Sequence, residues 1–122
     1  MQPSIAFFRQ QARLTTATAQ ATFCVRPREH ARELFRRAIA CDAECAVAHA
    51  GLADCCSYLY LYWQPTVDNL RMADSASRRA VALAPGLAET QVSRAVALST
   101  LRNYPEAEDT FRTAIRIDRN YS

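Results

Sequence analysis

The sequence contains no lysine, two glycines and one tryptophan in 122 residues, and no acidic residue precedes Glu29. So few glycines exclude a β-sandwich or barrel, whose many tight turns need residues that reach positive φ without strain. The apolar stretches are interrupted by Arg, Asp or Gln well short of the ~20 residues that span a bilayer, so no membrane contact is expected. A mass of 13.7 kDa allows one modest domain with a real core and excludes a large multidomain enzyme. Glycine-rich phosphate loops, a His-Glu-x-x-His pair and a nucleophile elbow are all missing. Asp54 follows His49 by five residues, which puts the two on different helical faces. The expectation is a chain that is not an enzyme and carries no cofactor.

What the chain does have is alanine, 23 residues of it, within a composition that is 50% hydrophobic. That balance favours helix. All 15 basic residues are arginine and the net charge is +3, with acidic residues interspersed from Glu29 onward, so no one-signed face for nucleic acid is expected. Arg9, Arg13, Arg26 and Arg28 lie in an opening stretch without acid, a composition shared with organelle transit peptides. The alternative, which we favour, is an amphipathic helix starting near Ser4, built on Ile5, Phe7, Phe8 and Leu14. Five cysteines, Cys24, Cys41, Cys45, Cys55 and Cys56, leave one unpaired, and no signal peptide is recognisable before them. Free thiols in a reducing, cytoplasmic setting are expected.

An internal repeat organises the chain. Ala31–Ile39, Ala73–Val81 and Ala107–Ile115 share a pattern in which a small residue is followed by another seven positions later and then by an apolar one. Corresponding alanines recur after 42 and then 34 residues. On a helix these small residues fall on one face, where a neighbouring helix can approach closely. A second pattern, Ala46–Ala53 and Ala88–Ala95, precedes the second and third segments and again places small residues at helix contacts. Each repeat therefore reads as a pair of antiparallel helices.

This unit resembles the tetratricopeptide repeat, a helix-turn-helix of about 34 residues. Ala53 and Ala95 match the family's small residue in the first helix. In the second helix, Ala31, Ala73 and Ala107 match one small position, Ala38, Ala80 and Ala114 the other, and Phe35 and Phe111 the aromatic between them. Pro85 matches the closing proline. The chain departs from the pattern at Ser77, where the aromatic should stand, at Arg94, where an apolar residue should, and at Ala43 and Arg119 in place of proline. The resemblance implies an all-α, right-handed solenoid of about three hairpins and six helices. Residues 1–11 form a lead, 12–45 a first repeat with a degenerate first helix, 46–87 a second with an insertion near 58–66, and 88–121 a third.

The resemblance also implies a protein-interaction module that takes a peptide or protein segment in its concave groove. The matching positions are Val47, Ala50, Asp54, Ser57 and Tyr58 in the second repeat, and Glu89, Val92, Val96, Ser99 and Thr100 in the third. Some members grip a terminal carboxylate with basic and amide side chains, but Ala50 and Asp54 stand where those are needed. Trp63 joins the candidate contacts as part of the aromatic cluster Tyr58, Tyr60, Tyr62 and Trp63, which either anchors the insertion or meets a ligand. The run Ala46–Cys55, the aromatic insertion and Ala82–Glu89 look like arrays attached to bacterial signalling proteins and transcription regulators.

Two alternatives remain. A sequence that stops where a next helix would start leaves Phe111, Ile115 and Ile117 without their usual cover, so the module either belongs to a longer protein or forms a homo-oligomer through that flank. Cys41, Cys45, Cys55, Cys56, His30 and His49 could instead form a thiol or metal sensor, although Cys55 and Cys56 are adjacent and diverge on a helix. Cys41 and Cys56 are expected to be buried thiols. Helix-end signals are Thr66 with Asp68, and Asn103 as a cap with Pro105 and the acids Glu106, Glu108 and Asp109 after it. Glu33–Arg37 and Glu108–Arg112 are spaced for ion pairs.

Overall fold

The computed structural model describes residues 25–119, which form five α-helices: α1 (Val25–Cys41), α2 (Ala46–Tyr62), α3 (Val67–Leu83), α4 (Ala88–Thr100) and α5 (Tyr104–Ile117). Six were expected. The leading helix placed within residues 12–25 lies outside the described residues apart from Val25, as do Ile5, Phe7, Phe8, Leu14 and Cys24. No strand occurs among the described residues.

Connections of three or four residues make consecutive helices antiparallel neighbours. The helix α2 packs on α1, α3 and α4, and α4 packs on α2, α3 and α5. The pairs α2–α3 and α4–α5 are thus stacked hairpins, and α1 packs on α2 ahead of them. The repeating alanines are what lets them stack. Ala31, Ala38, Ala53, Ala73, Ala80 and Ala95 are fully buried, and Ala107 and Ala114 nearly so, because any larger side chain there would hold the helix axes apart.

The extra residues of the second repeat do not form a long loop. Helices α2 and α3 are each 17 residues long where α4 has 13 and α5 has 14, and the connection between α2 and α3 is only residues 63–66. Tyr58, Tyr60 and Tyr62 therefore ride on helix rather than on loop. A polar chain ties this extension to α1: Arg32 Nη1 donates to Asn69 Oδ1 at 2.6 Å, Asn69 Nδ2 donates to the Gln64 carbonyl at 3.0 Å, and Gln64 Nε2 donates to Glu29.

Helix ends follow local chemistry. Thr66 Oγ1 accepts the Asn69 N–H at 3.2 Å, as an N-cap should. Asn103 holds the cap position of α5, but its side chain donates to Glu106 at 2.7 Å instead of accepting a backbone N–H. Its backbone N–H is already spent on the Leu98 carbonyl, and Arg102 N–H on Ser99, closing α4 in a Schellman turn. Arg102 takes φ 64° there, a conformation ordinarily given to glycine. Both expected ion pairs form, Glu33–Arg37 at 3.9 Å and Glu108–Arg112 at 2.7 Å, exposed and worth tenths of a kcal/mol.

The cysteines divide. Cys55 and Cys56 are buried, and burial pushes the Cys56 thiol up to about 12 against the opposing charges of Arg32 and Arg36, which leaves it unreactive. Cys41, expected inside, is exposed: it is the last residue of α1, and the turn after it, residues 42–44, is exposed too. His49 Nε2 lies 2.9 Å from the Ala43 carbonyl. No group of three or more His, Cys, Asp or Glu among the described residues is placed to hold a metal ion.

Two departures from the repeat pattern prove to be one contact. Arg94 Nη1 donates to Ser77 Oγ at 3.0 Å and to Asp74 Oδ1 at 2.8 Å, joining α4 to α3 where an aromatic and an apolar side chain would otherwise meet. Partial burial works to raise the Asp74 pKa, but hydrogen bonds and charge from Arg94 and Arg78 outweigh it and hold the carboxyl below its ordinary value. The Arg94 side chain is only 12% exposed, so its removal strands partly desolvated acceptors. Arg94→Ala should cost about 1–3 kcal/mol in urea unfolding, and Arg94→Leu combined with Ser77→Phe should recover part of that. An alanine variant with an unchanged midpoint would show the contact to be incidental.

Candidate functional site

The helices α2 and α4 are the first helices of adjacent hairpins, so their matching residues share one face. Val47, Asp54 and Tyr58 on α2, and Glu89, Val92, Val96 and Ser99 on α4, are each half-buried, with an open side. Ala50 and Ser57 are fully buried and form the floor beneath them. Ser99 Oγ and Thr100 Oγ1 bond back to the carbonyls of Ala95 at 3.1 Å and Val96 at 2.9 Å, which commits them to their own helix.

Aromatic side chains border this face where α2 ends. Tyr58 and Tyr62, one turn apart, stack with ring centres 6.3 Å apart, and Trp63 meets Tyr62 edge-on at 5.8 Å. The Arg28 guanidinium, from the first turn of α1, sits 4.9 Å from the Tyr58 ring centre and 5.1 Å from that of Trp63. Arg28 is 3% exposed, and its Nε and Nη1 have no hydrogen-bond partner. The two ring faces lie against the guanidinium in a cation–π arrangement that gains from desolvation. Arg28 was legible in the sequence only as one of four arginines in an acid-free stretch. Nothing local signals that it reaches two aromatics beyond its own helix.

Asp54 sits at the centre of the face. Loss of hydration lifts its pKa from 3.8 to about 7, Ser93 lowers it, and the Glu89 charge raises it further. Ser93, buried on α4, faces the carboxyl yet makes no hydrogen bond of ordinary length. Ser57 Oγ is likewise buried without a partner. Both hydroxyls lie on helices and do not turn back on a carbonyl as Ser99 does. Burial also raises the pKa of Tyr58, with Asp54 and Tyr62 adding to the rise and Arg28 opposing it. Ser93 escaped the sequence reading because Asp54, the carboxyl it faces, lies across a helix interface that carries no periodic mark.

At the far end of the chain, Phe111, Ile115 and Ile117 on α5 are 37%, 54% and 40% exposed. A shallow depression lined by Asp109, Arg112, Thr113, Ile115 and Arg116 lies on the same helix.

The architecture has a solved counterpart. The second tetratricopeptide-repeat domain of Spaghetti (RPAP3), solved bound to the HSP90 peptide SRMEEVD, superposes with a TM-score of 0.61 at 24% identity, over 90% of this chain and 94% of that one. The fold is that of a tetratricopeptide-repeat domain. Neither a protein-family model nor a curated protein matches the sequence. The tetratricopeptide fold is thus carried here by buried alanines and stacked hairpins, under side chains largely its own. No helix among the described residues is long and apolar enough to cross a membrane.

Proposed function

We propose that this tetratricopeptide domain is a non-enzymatic interaction module that binds a peptide segment of a partner protein along the α2–α4 face. The observation that carries the reading is the row of half-buried Val47, Asp54, Tyr58, Glu89, Val92 and Val96, apolar surface interrupted by a few placed polar groups and bordered by aromatics. Such a surface gains affinity from apolar burial and specificity from its polar points. The structural neighbour was solved with a peptide, which agrees with that use of the fold. By its likeness to arrays in bacterial signalling and regulatory proteins, we place the module in a cytoplasmic assembly of that kind.

The test is a pull-down of partners on immobilised wild-type chain, repeated with Tyr58→Ala and Asp54→Ala combined. Losing at least tenfold in retained partner, with helicity unchanged by circular dichroism, supports the reading. Full retention of every partner by the double variant overturns it. The exposed Phe111, Ile115 and Ile117 favour a second reading, self-association through α5. Sedimentation equilibrium decides it: a dimer dissolved by Phe111→Asp with Ile115→Asp establishes that reading, and a monomer removes it.

A further inference from the structure

Within the peptide-binding reading, on which this inference rests, the face divides into points of different chemistry. Asp54 is the carboxyl at its centre, half-buried and so within reach of a ligand. No arginine among the described residues forms an ion pair with it; the ion pairs seen there join Arg37, Arg78, Arg94 and Arg112 to other acids. Arg28 takes the rings of Tyr58 and Trp63 instead. From α4 the groups that face Asp54 are the Glu89 carboxylate and the Ser93 hydroxyl, and from its own helix the Tyr58 phenol. Ser93 is 1% exposed and its oxygen lacks a partner, so a buried polar atom stands beside the carboxyl with its hydrogen-bonding capacity unused.

We propose that Asp54, with Glu89 and Ser93 across from it, is a subsite that receives the lysine or arginine side chain of the bound peptide. A cation placed there would compensate a half-buried carboxylate and meet the negative charge of Glu89. An acidic peptide would gain none of this. Arg28, the described cation that meets the aromatic end of this face, is 3% exposed and lies against two aromatic rings, so it offers a ligand carboxylate no open guanidinium to grip. The chain would therefore select against peptides with the acidic ending of SRMEEVD, the one held by its structural neighbour. Specificity of this kind comes as much from repelling the wrong charge as from attracting the right one.

The inference has a pH signature. With Asp54 titrating at about pH 7, its charged form grows from roughly a tenth to nine tenths between pH 6 and 8. Affinity for a basic peptide should therefore rise about tenfold over that interval, and lose that rise in Asp54→Asn.

The experiment uses three sets of immobilised, end-capped, histidine-free decapeptides, otherwise alike in their apolar composition, with lysine or arginine, glutamine or glutamate at the centre. Labelled full-length chain is applied at pH 6 and pH 8, as wild type, Asp54→Asn and Glu89→Gln. The expected result is at least tenfold preference of the wild type for the basic set at pH 8, abolished by Asp54→Asn and reduced by Glu89→Gln. Binding that is indifferent to the central charge, or stronger to the acidic set, overturns this inference and leaves the peptide-binding reading standing. Binding to none of the sets overturns both. A preference for basic peptides that survives Asp54→Asn at both pH values also overturns it, because the cation then goes elsewhere. Asparagine preserves the size of the side chain, and matched helicity of the variants excludes a folding defect as the cause.

Discussion

Asp54→Asn is expected to make the chain more stable than the wild type at pH 8, by about 2–4 kcal/mol. The carboxyl has a pKa near 7 in the folded chain, against 3.8 for an ordinary aspartate. Between those values the folded state holds a proton that the unfolded state has released. Stability from this group is therefore fully present below about pH 4 and is lost as the pH rises through 7. Three pKa units at ~1.4 kcal/mol each set an upper limit near 4 kcal/mol, and the open side of Asp54 lowers the realised figure. Asparagine fills the same space without ever charging. Urea unfolding of both chains at intervals from pH 5 to pH 8 checks this, since other acids titrate alike in the two and cancel in the difference. The gap should widen as the pH rises to about 7 and level off above it. A constant gap, or a less stable asparagine chain at pH 8, would place the carboxyl in a solvated or compensated site.

A group that costs stability at neutral pH, in a domain whose net stability is of the usual 5–15 kcal/mol, calls for a use. The two buried hydroxyls beside it point the same way. Ser57 and Ser93 each carry an unsatisfied oxygen inside a helix, where a bond to a carbonyl one turn back was available. Among the described residues, the buried side-chain atoms without a partner belong to Ser57 on α2, Ser93 on α4 and Arg28 on α1, beside the same face, whereas the structural polar contact at Arg94, Asp74 and Ser77 is complete.

How much of this was legible in the sequence depends on the range of the interaction. The stacking of hairpins was readable because it rests on alanines at fixed intervals, and each of the eight repeating alanines is indeed buried. Helix ends were readable where a side chain serves its own turn, as at Thr66, and less so at Asn103, whose side chain donates to Glu106 instead of accepting a backbone N–H. The extra residues near 58–66 were expected between the two helices, whereas α2 runs on to Tyr62, and nothing in Tyr58–Tyr62 distinguishes a longer helix from an anchored connection. Cys41 was placed inside on repeat register alone, and register does not report that a helix has reached its last residue. Arg28 over Tyr58 and Trp63, and Ser93 before Asp54, join residues far apart in the chain with no period to betray them.

Repeat geometry makes one further contact decisive. Phe35, Ser77 and Phe111 occupy the same place in successive second helices, and each meets something different. Phe111 is 37% exposed, Ser77 bonds Arg94, and Phe35, 4% exposed, lies against Gly51 of α2. A β-carbon on Gly51 would overlap Cε1 and Cζ of the Phe35 ring and come within 2.7 Å of Cε2. Glycine inside a helix ordinarily costs up to about 1 kcal/mol relative to alanine, so alanine at an unconstrained site would stabilise. Here the ring is enclosed by the core and has little room to retreat, and overpacking of this kind costs about 1–3 kcal/mol. Gly51→Ala should therefore destabilise the chain on balance. Phe35→Ala should cost about 3–5 kcal/mol, because it empties a ring-sized volume between α1 and α2. With the ring gone, the added methyl has space and keeps its helix preference. The double variant should thus be more stable than the sum of the two single losses allows, by 1 kcal/mol or more. Strict additivity in urea unfolding, or a stabilising Gly51→Ala on its own, would mean that α1 and α2 are not held at the close approach that glycine permits.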